Sequence, residues 1–245
     1  MKNILIFGGS GKIGFEIAKY LYESGNNVII ADIKNNKNFK NNNNFIKFIK
    51  CNILIDKEID LLIVKTLRLC NKIDSVIFCA YPRSSQWGSS FLKIKRKSLN
   101  KDIDGQLTST IIAAQKIIKL FIKQKYGNMV FFSSIQGISP PKFWHYKNTN
   151  MSSPIEYSTI KAGVIMMTKY LAKLYLNCGI NVNCISPGGI FDGQDKNFLK
   201  AYKKSCGNKG MLDPKDLFGA VEFLISDKSR YITGQNIVID DGWTL

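Results

Sequence analysis

Gly8-Gly9-Ser10-Gly11-Lys12-Ile13-Gly14 is the segment that most restricts the fold. It stands between a short apolar run, Asn3 to Phe7, and apolar residues at helical spacing, Ile13, Ile17 and Leu21. A strand that passes through a glycine turn into a helix leaves the first helical amides facing the turn, where a diphosphate can lie. Glycines at 8, 11 and 14 permit a tight turn, close approach of backbone to phosphate, and close packing of helix on strand. Asn27 to Ala31 reads as a second buried strand, and Asp32 ends it. A carboxylate at that point can accept both hydroxyls of an adenosine ribose, which favours NAD. NADP stays the alternative, because Lys12 and Lys34 could offset the charge of a 2′-phosphate.

The same alternation continues along the chain. The asparagine-rich stretch Asn35 to Asn44 reads as a solvated loop before a third strand near Phe45 to Ile49. Ile59 to Leu69 is a helix candidate, Ser75 to Cys79 a fourth strand, Ile103 to Gln124 a long helix, and Asn128 to Phe132 a fifth strand. Ile155 to Leu176 follows as a helix, Asn181 to Ile185 as a strand, Pro214 to Ile225 as a helix, and Ile237 to Asp240 as a final strand. Repeated βα units with buried strands predict an α/β fold. We expect a single-domain, Rossmann-type, doubly wound parallel sheet of about seven strands over residues 1–245, with helices on both faces.

Bulk properties set bounds on the function. A chain of 245 residues with 45% apolar residues can bury a full core. No apolar run reaches the roughly 18 residues of a membrane span, and the first strand leaves no room for a signal peptide, so a cytoplasmic location is expected. The six cysteines, at 51, 70, 79, 178, 184 and 206, lack CxxC spacing and read as reduced thiols. With His145 the single histidine, no metal site is expected. The net charge of +17 comes from 35 basic residues scattered among 18 acidic ones, in a lysine- and asparagine-rich composition typical of AT-biased coding. It forms no recognised nucleic-acid motif, and a small anionic substrate accounts for it better.

Tyr157 and Lys161 lie four residues apart in Glu156-Tyr157-Ser158-Thr159-Ile160-Lys161 and share one face of the expected helix. A phenol and an ammonium so placed can act on one bound cofactor and substrate. The ammonium is expected to lower the phenol's pKa, as a general acid/base tyrosine requires.

Taken in order, these features resemble the short-chain dehydrogenase/reductase family, of the classical length class, over nearly the whole chain. They are the glycine turn, the acidic residue after the second strand, Ser133-Ser134 after the fifth, the Tyr157/Lys161 pair, and Asn183-Cys184-Ile185-Ser186-Pro187-Gly188. The resemblance implies hydride transfer with a nicotinamide cofactor. It makes Ser134, with Ser133 as the alternative, the holder of the substrate oxygen, Tyr157 the proton donor or acceptor, and Lys161 the ligand of the nicotinamide ribose. It also assigns Gly8, Ser10, Gly11, Lys12, Ile13, Gly14, Asp32, Asn52, Cys79, Ala80, Pro187, Gly188 and Ile190 to the cofactor wall, together with Tyr157 and Lys161.

Three departures stand out. Where the family carries Asn-Asn-Ala-Gly, this chain has Phe78-Cys79-Ala80-Tyr81. The asparagine that supports a proton-relay water aligns with Gln106, which places Gln106 among the catalytic candidates with an altered relay. The glycine turn carries Phe7 and Lys12 where the family pattern has threonine and glycine. Within the family, Ser186-Pro187-Gly188-Gly189-Ile190-Phe191 and Gly242-Trp243-Thr244 look like dehydrogenases of bacterial surface-sugar and flagellin modification, of the legionaminic-acid type.

That resemblance implies a carbohydrate derivative, phosphorylated or nucleotide-linked, as substrate. A keto-acyl or other ketone substrate is the alternative, and a non-catalytic cofactor-binding regulator the alternative outside enzymes. Pro140-Pro141-Lys142-Phe143-Trp144-His145-Tyr146 is expected to overhang the substrate cleft, its aromatics available to sugar rings, unless it is a surface or subunit-contact loop. Lys200, Lys203 and Lys204 are candidates to meet phosphate. His145 reads as structural rather than as an acid/base group. Arg83 and Trp87, after the fourth strand, either line the cleft or lie in a solvated loop. The family's habit implies a dimer or tetramer built through Ile103 to Gln124 and Ile155 to Leu176.

Overall fold

A computed structural model of the chain describes residues 1–36 and 46–245. Seven parallel strands form one sheet: β1 (Asn3–Phe7), β2 (Asn27–Asp32), β3 (Ile46–Lys50), β4 (Ser75–Phe78), β5 (Gly127–Phe132), β6 (Ile180–Pro187) and β7 (Asn236–Ile239). Their order is β3-β2-β1-β4-β5-β6-β7. The expected fold is thus present. Most of the asparagine-rich stretch, and Phe45 of the expected third strand, lie outside the described residues.

Strand periodicity divides the core in two. Along β1, Leu5 and Phe7 face one side of the sheet while Ile4 and Ile6 face the other, and all are fully buried. The first side packs beneath α2 (Asp56–Cys70), α4 (Ser109–Gln124) and α5 (Ile155–Leu174), through Ile59, Leu62, Ala113, Ile117 and Val164. The second packs beneath α1 (Lys12–Glu23) and α7 (Phe218–Ile225), through Ile17, Leu21, Val221 and Leu224. Strands covered on both faces cannot alternate with polar residues, which is why β1 and β4 read as continuous apolar runs.

Three elements differ from the sequence reading. The helix expected from Ile103 begins earlier, at α3 (Arg96–Ile103), and passes through a π-helical turn, Asp104–Thr108, into α4. Its first residues are too polar to show an apolar stripe. A further helix, α6 (Lys196–Lys203), offers only Phe198 and Tyr202 as buried anchors, too few to mark it in the sequence. The segment read as one helix from Pro214 starts as a tight turn, Pro214–Leu217, before α7.

The two unusual phenylalanines share one explanation. Phe7, Phe78 and Phe131 are register partners on β1, β4 and β5. Phe78 stacks on Phe7 at 5.1 Å and on Phe131 at 4.6 Å, in near-parallel planes. An aromatic ladder across the middle of the sheet therefore stands where the family pattern has polar side chains on two of those strands.

Candidate active site

Chain order reverses direction between β1 and β4, which are neighbours in the sheet, so the loops after them diverge at their carboxyl ends and leave a crevice. A cleft of about 930 Å³ opens there, bounded by the loops after β1, β2, β4, β5 and β6. That volume lies near the upper end of the range for small-molecule sites, roughly 300–1,000 Å³.

The glycine turn forms one end. Gly8 has φ +72, and a Cβ on it would stand 2.4 Å from the Ala80 amide nitrogen. A Cβ on Gly14 would stand 2.4 Å from the Gly8 carbonyl oxygen. Side chains are excluded at both positions, which lets the loops after β1 and β4 meet. No side chain caps α1, whose N-cap is Gly11, and the Ser10 hydroxyl is buried without a partner. The turn thus presents uncapped amides and a free hydroxyl.

Asp32 closes the neighbouring wall. One carboxylate oxygen accepts from the Ser10 amide at 3.0 Å and the other from the Ile33 amide at 2.7 Å. A second acceptor site remains on each oxygen. Asn52 sits alongside, its side chain accepting from the Leu54 amide at 3.1 Å. Lys12 lines the cleft but bonds across it, to the Phe191 carbonyl and, at 2.8 Å, to Asp192. It ties the glycine turn to the loop after β6.

Ser134, Tyr157 and Lys161 converge in the middle of the cleft. Gly137 makes this convergence possible: a Cβ there would stand 2.7 Å from the Lys161 carbonyl carbon, so the short helical turn Ile135–Gly137 lies against α5. Ser133 donates to the Lys161 carbonyl at 2.8 Å and is committed to that contact. Ser134, at the head of the turn, accepts from the Gln136 amide at 3.2 Å and hydrogen-bonds the Tyr157 phenol.

Burial raises the Tyr157 phenol above its ordinary pKa; the Ser134 hydrogen bond opposes that shift, and the Tyr146 phenol adds to it. The expected lowering by Lys161 is absent. The Lys161 ammonium lies 5.7 Å from the centre of the Tyr157 ring and donates to the Phe132 carbonyl at 2.9 Å. Burial lowers its own pKa to about 8, partly offset by Cys79 and Cys184. The Cys79 thiol is pushed up to about 12 by burial, so it stays protonated beside the amine.

Gln106 is placed elsewhere. It lies in the π-helical turn and donates to the Pro82 carbonyl at 3.0 Å, with its own amide oxygen buried and unpartnered. It does not line the cleft; it holds the loop after β4.

The overhanging segment also differs from expectation. Phe143 and Trp144 point outward and do not line the cleft, whereas Tyr146 does. His145 is 1% exposed, packs among Trp144, Phe198, Tyr202 and Trp243, and shares a hydrogen bond of 2.9 Å with Ser205. Burial lowers its pKa, in keeping with a neutral packing residue. Lys200, Lys203 and Lys204 are exposed on the outer side of α6 and stand clear of the cleft.

Several lining residues had no signal in the sequence. Gln136 accepts from Ser153 at 2.7 Å and from Ser158 at 3.3 Å. The Tyr202 hydroxyl accepts from the Gly189 amide at 2.6 Å, fixing the loop that follows β6. Tyr81 stands edge-on to both Tyr157 and Trp87. Pro187, Gly188, Ile190, Cys79 and Ala80 also line the cleft.

Comparison with known proteins decides the family. The model of a family described as enoyl-(acyl carrier protein) reductase matches residues 9–244. Over its full length the chain is 36% identical to the post-translational flagellin modification protein A of Campylobacter coli, covering 98% of that protein. It is 33% identical to the 3-oxoacyl-[acyl-carrier-protein] reductase FabG of Rickettsia felis, with 98% of the chain and 96% of the relative aligned.

The chain belongs to the short-chain dehydrogenase/reductase family. Among solved structures, a short-chain dehydrogenase from Leptospira borgpetersenii, crystallised with bound NAD+, superposes with a TM-score of 0.92 at 33% identity. That match covers 100% of this chain and 93% of the other. As a short-chain dehydrogenase/reductase this protein is an oxidoreductase, and its similarity to a flagellin-modification protein supports the subgroup expected from the Gly-Gly-Ile-Phe and Gly-Trp-Thr stretches.

Proposed function

We propose that the protein is an NAD-dependent dehydrogenase or reductase of a carbohydrate derivative, acting in surface-glycan biosynthesis. The observation that carries the chemistry is the meeting of Ser134, Tyr157 and Lys161 in one cleft with the uncapped start of α1. The full-length relationship to a flagellin-modification protein supports the carbohydrate class.

The residues fit a dinucleotide. The glycine turn, with its free amides and the unpartnered Ser10 hydroxyl, would hold the diphosphate. Asp32 would accept the adenosine ribose hydroxyls and repel a 2′-phosphate, which favours NAD. Lys12 is engaged by Asp192, which leaves Lys34 as the nearby cation, among the described residues, open to a phosphate there. Once bound, the cofactor supplies or accepts the hydride.

This chain moves the proton. With its pKa raised, Tyr157 carries the proton at neutral pH and can give it to a substrate carbonyl oxygen, while the Ser134 hydroxyl holds that oxygen. In the reverse direction the same phenol must first lose its proton, so oxidation is favoured by rising pH. Lys161 would hold the nicotinamide ribose and place positive charge beside the phenol. Gln106 acts at one remove, by fixing the loop after β4.

One domain serves both cofactor and substrate, in the cytoplasm, where its six free thiols stay reduced. No described helix is long and apolar enough to cross a membrane. Self-association through α4 and α5 would cover Ile111, Ile122, Met166, Tyr170 and Leu174, which are exposed on one chain.

A second reading, a reductase of 3-oxoacyl thioesters, is favoured by the similarity to FabG and by the description of the matching family. Nicotinamide absorbance decides between them, with NAD(H) or NADP(H) and a panel of sugar phosphates, sugar acids, nucleotide-linked sugars and acetoacetyl-CoA. We expect a sugar derivative to exceed acetoacetyl-CoA in kcat/KM by at least about tenfold, with NAD(H) preferred. Preference for the thioester would overturn the carbohydrate reading in favour of the second.

A further inference from the structure

The loop after β4 replaces the family's pattern with Tyr81 and continues into Pro82-Arg83-Ser84, and the structure treats it as a fixed wall. Asp102 accepts from the Ser84 amide at 2.6 Å and from the Ser84 hydroxyl at 2.7 Å, all in buried surroundings. Four residues on, Gln106 donates to the Pro82 carbonyl. Arg83 is therefore held on both sides by one helical segment. Its backbone is clamped while its side chain lines the cleft.

That guanidinium is available. It forms no ion pair among the described residues, and its one recorded partner is the face of Tyr81, 5.4 Å away. The other basic side chains near the reacting centre are engaged: Lys161 with the Phe132 carbonyl, and Lys12 with Asp192. Asp102, on the neighbouring helix, is engaged by Ser84. Arg83 is thus the cation on the substrate side that can take an anion from solution.

Its distance from the chemistry is set by aromatic rings. Tyr81 stands 5.9 Å from Tyr157 and Trp87 stands 6.0 Å from it, all three mutually edge-on. Tyr81 is in contact with both Arg83 and the proton donor, which puts the guanidinium within about 11 Å of the Tyr157 ring centre. Burial keeps the Tyr81 phenol protonated, so this residue of the wall carries a neutral hydroxyl. Tyr81 lines the cleft and offers a flat surface to the carbon skeleton of a ligand, Trp87, which does not line it, stands edge-on against Tyr81, and Arg83 offers a two-pronged donor beside them.

We propose that Arg83 selects substrates bearing a carboxylate or phosphate about one sugar ring from the reacting carbon, with Tyr81, braced by Trp87, packing the ring between. This rests on the oxidoreductase reading above and deepens its substrate class. It also separates that class from long acyl thioesters, whose carbonyl has no fixed anion at this range.

The test compares charged and neutral partners in both chemical classes. The pairs are galacturonate and galactose, glucose 6-phosphate and glucose, and 5-oxohexanoate and ethyl 5-oxohexanoate, whose ketone and carboxyl carbons stand about as far apart as the ends of a sugar ring. Each is assayed with NAD(H) for wild type, Arg83→Gln, Arg83→Lys and Trp87→Leu. In Arg83→Gln we expect KM for the charged member to rise roughly 10- to 100-fold. We expect its kcat to stay within about threefold, and KM for the neutral partner to be unchanged. Arg83→Lys should recover part of the loss, and Trp87→Leu should weaken both members together. The sugar acid and sugar phosphate arms show which anion is preferred. Equal effects on charged and neutral partners, or none on the charged one, overturn the proposal. Turnover of the oxo-acid pair alone overturns the carbohydrate reading, while the Arg83→Gln comparison within that pair still decides this one.

Discussion

Lys161 shows how burial and function pull against each other at one residue. Its amine is held at about pKa 8 by desolvation, against 10.5 for the free side chain. Between those values the unfolded chain binds the proton and the folded chain releases it, so stability should rise with pH across that window. Below it, burial of the charge is a standing cost, of the order of 3 kcal/mol. We expect urea unfolding to show wild type gaining on Lys161→Met as pH goes from 7.5 to 10. A constant difference between the two would mean that the amine is not desolvated. Tyr157 titrates in the opposite sense, since burial raises it.

The four-residue spacing of Tyr157 and Lys161 was legible because helical periodicity alone puts both on one face. The direction of the Tyr157 shift was not, because burial sets it, and the residues that bury the phenol arrive from separate loops. The same reason hid Gln136, Tyr202 and the contacts of Tyr81 and Trp87 with Tyr157. Residues from loops after different strands have no spacing to betray them. Gln106 was found by alignment with the family pattern, but its bond to the Pro82 carbonyl depends on where the loop after β4 runs.

Among the elements, β4 carries the most information about how this chain departs from its family. Phe78 is sandwiched between Phe7 and Phe131, so two departures in the sequence are one packing event in the sheet. Phe78→Ala would leave a cavity between two rings on neighbouring strands and is expected to cost about 3–5 kcal/mol. Chemical denaturation followed by tyrosine and tryptophan fluorescence measures it; a loss below about 1 kcal/mol would show that the ladder contributes little. The parallel sheet of seven strands with helices on both faces followed from unbroken apolar runs and βα alternation; the order of its strands did not. Polar helices escaped notice: α3 opens with Arg96 and Lys97, and α6 keeps only Phe198 and Tyr202 inward.

On the scale of the whole molecule, the sheet buries both faces yet leaves an apolar stripe outside. Met166, Tyr170 and Leu174 follow one another at four-residue intervals on α5 and are each more than half exposed. Residues at that spacing form a single ridge, suited to a second helix of the same kind. If the chain self-associates there, Met166→Glu combined with Tyr170→Glu should halve the mass, or reduce it further, in light scattering, with the fold intact by circular dichroism. An unchanged assembly would place the contact elsewhere.

The central claim is that Tyr157 passes the proton in a cleft whose cofactor end is independent of it. The most direct test measures turnover and NAD affinity side by side in wild type and Tyr157→Phe. The account predicts a loss of kcat of about a thousandfold, with the dissociation constant for NAD within about twofold. Substantial residual turnover, or parallel loss of NAD binding, would contradict it.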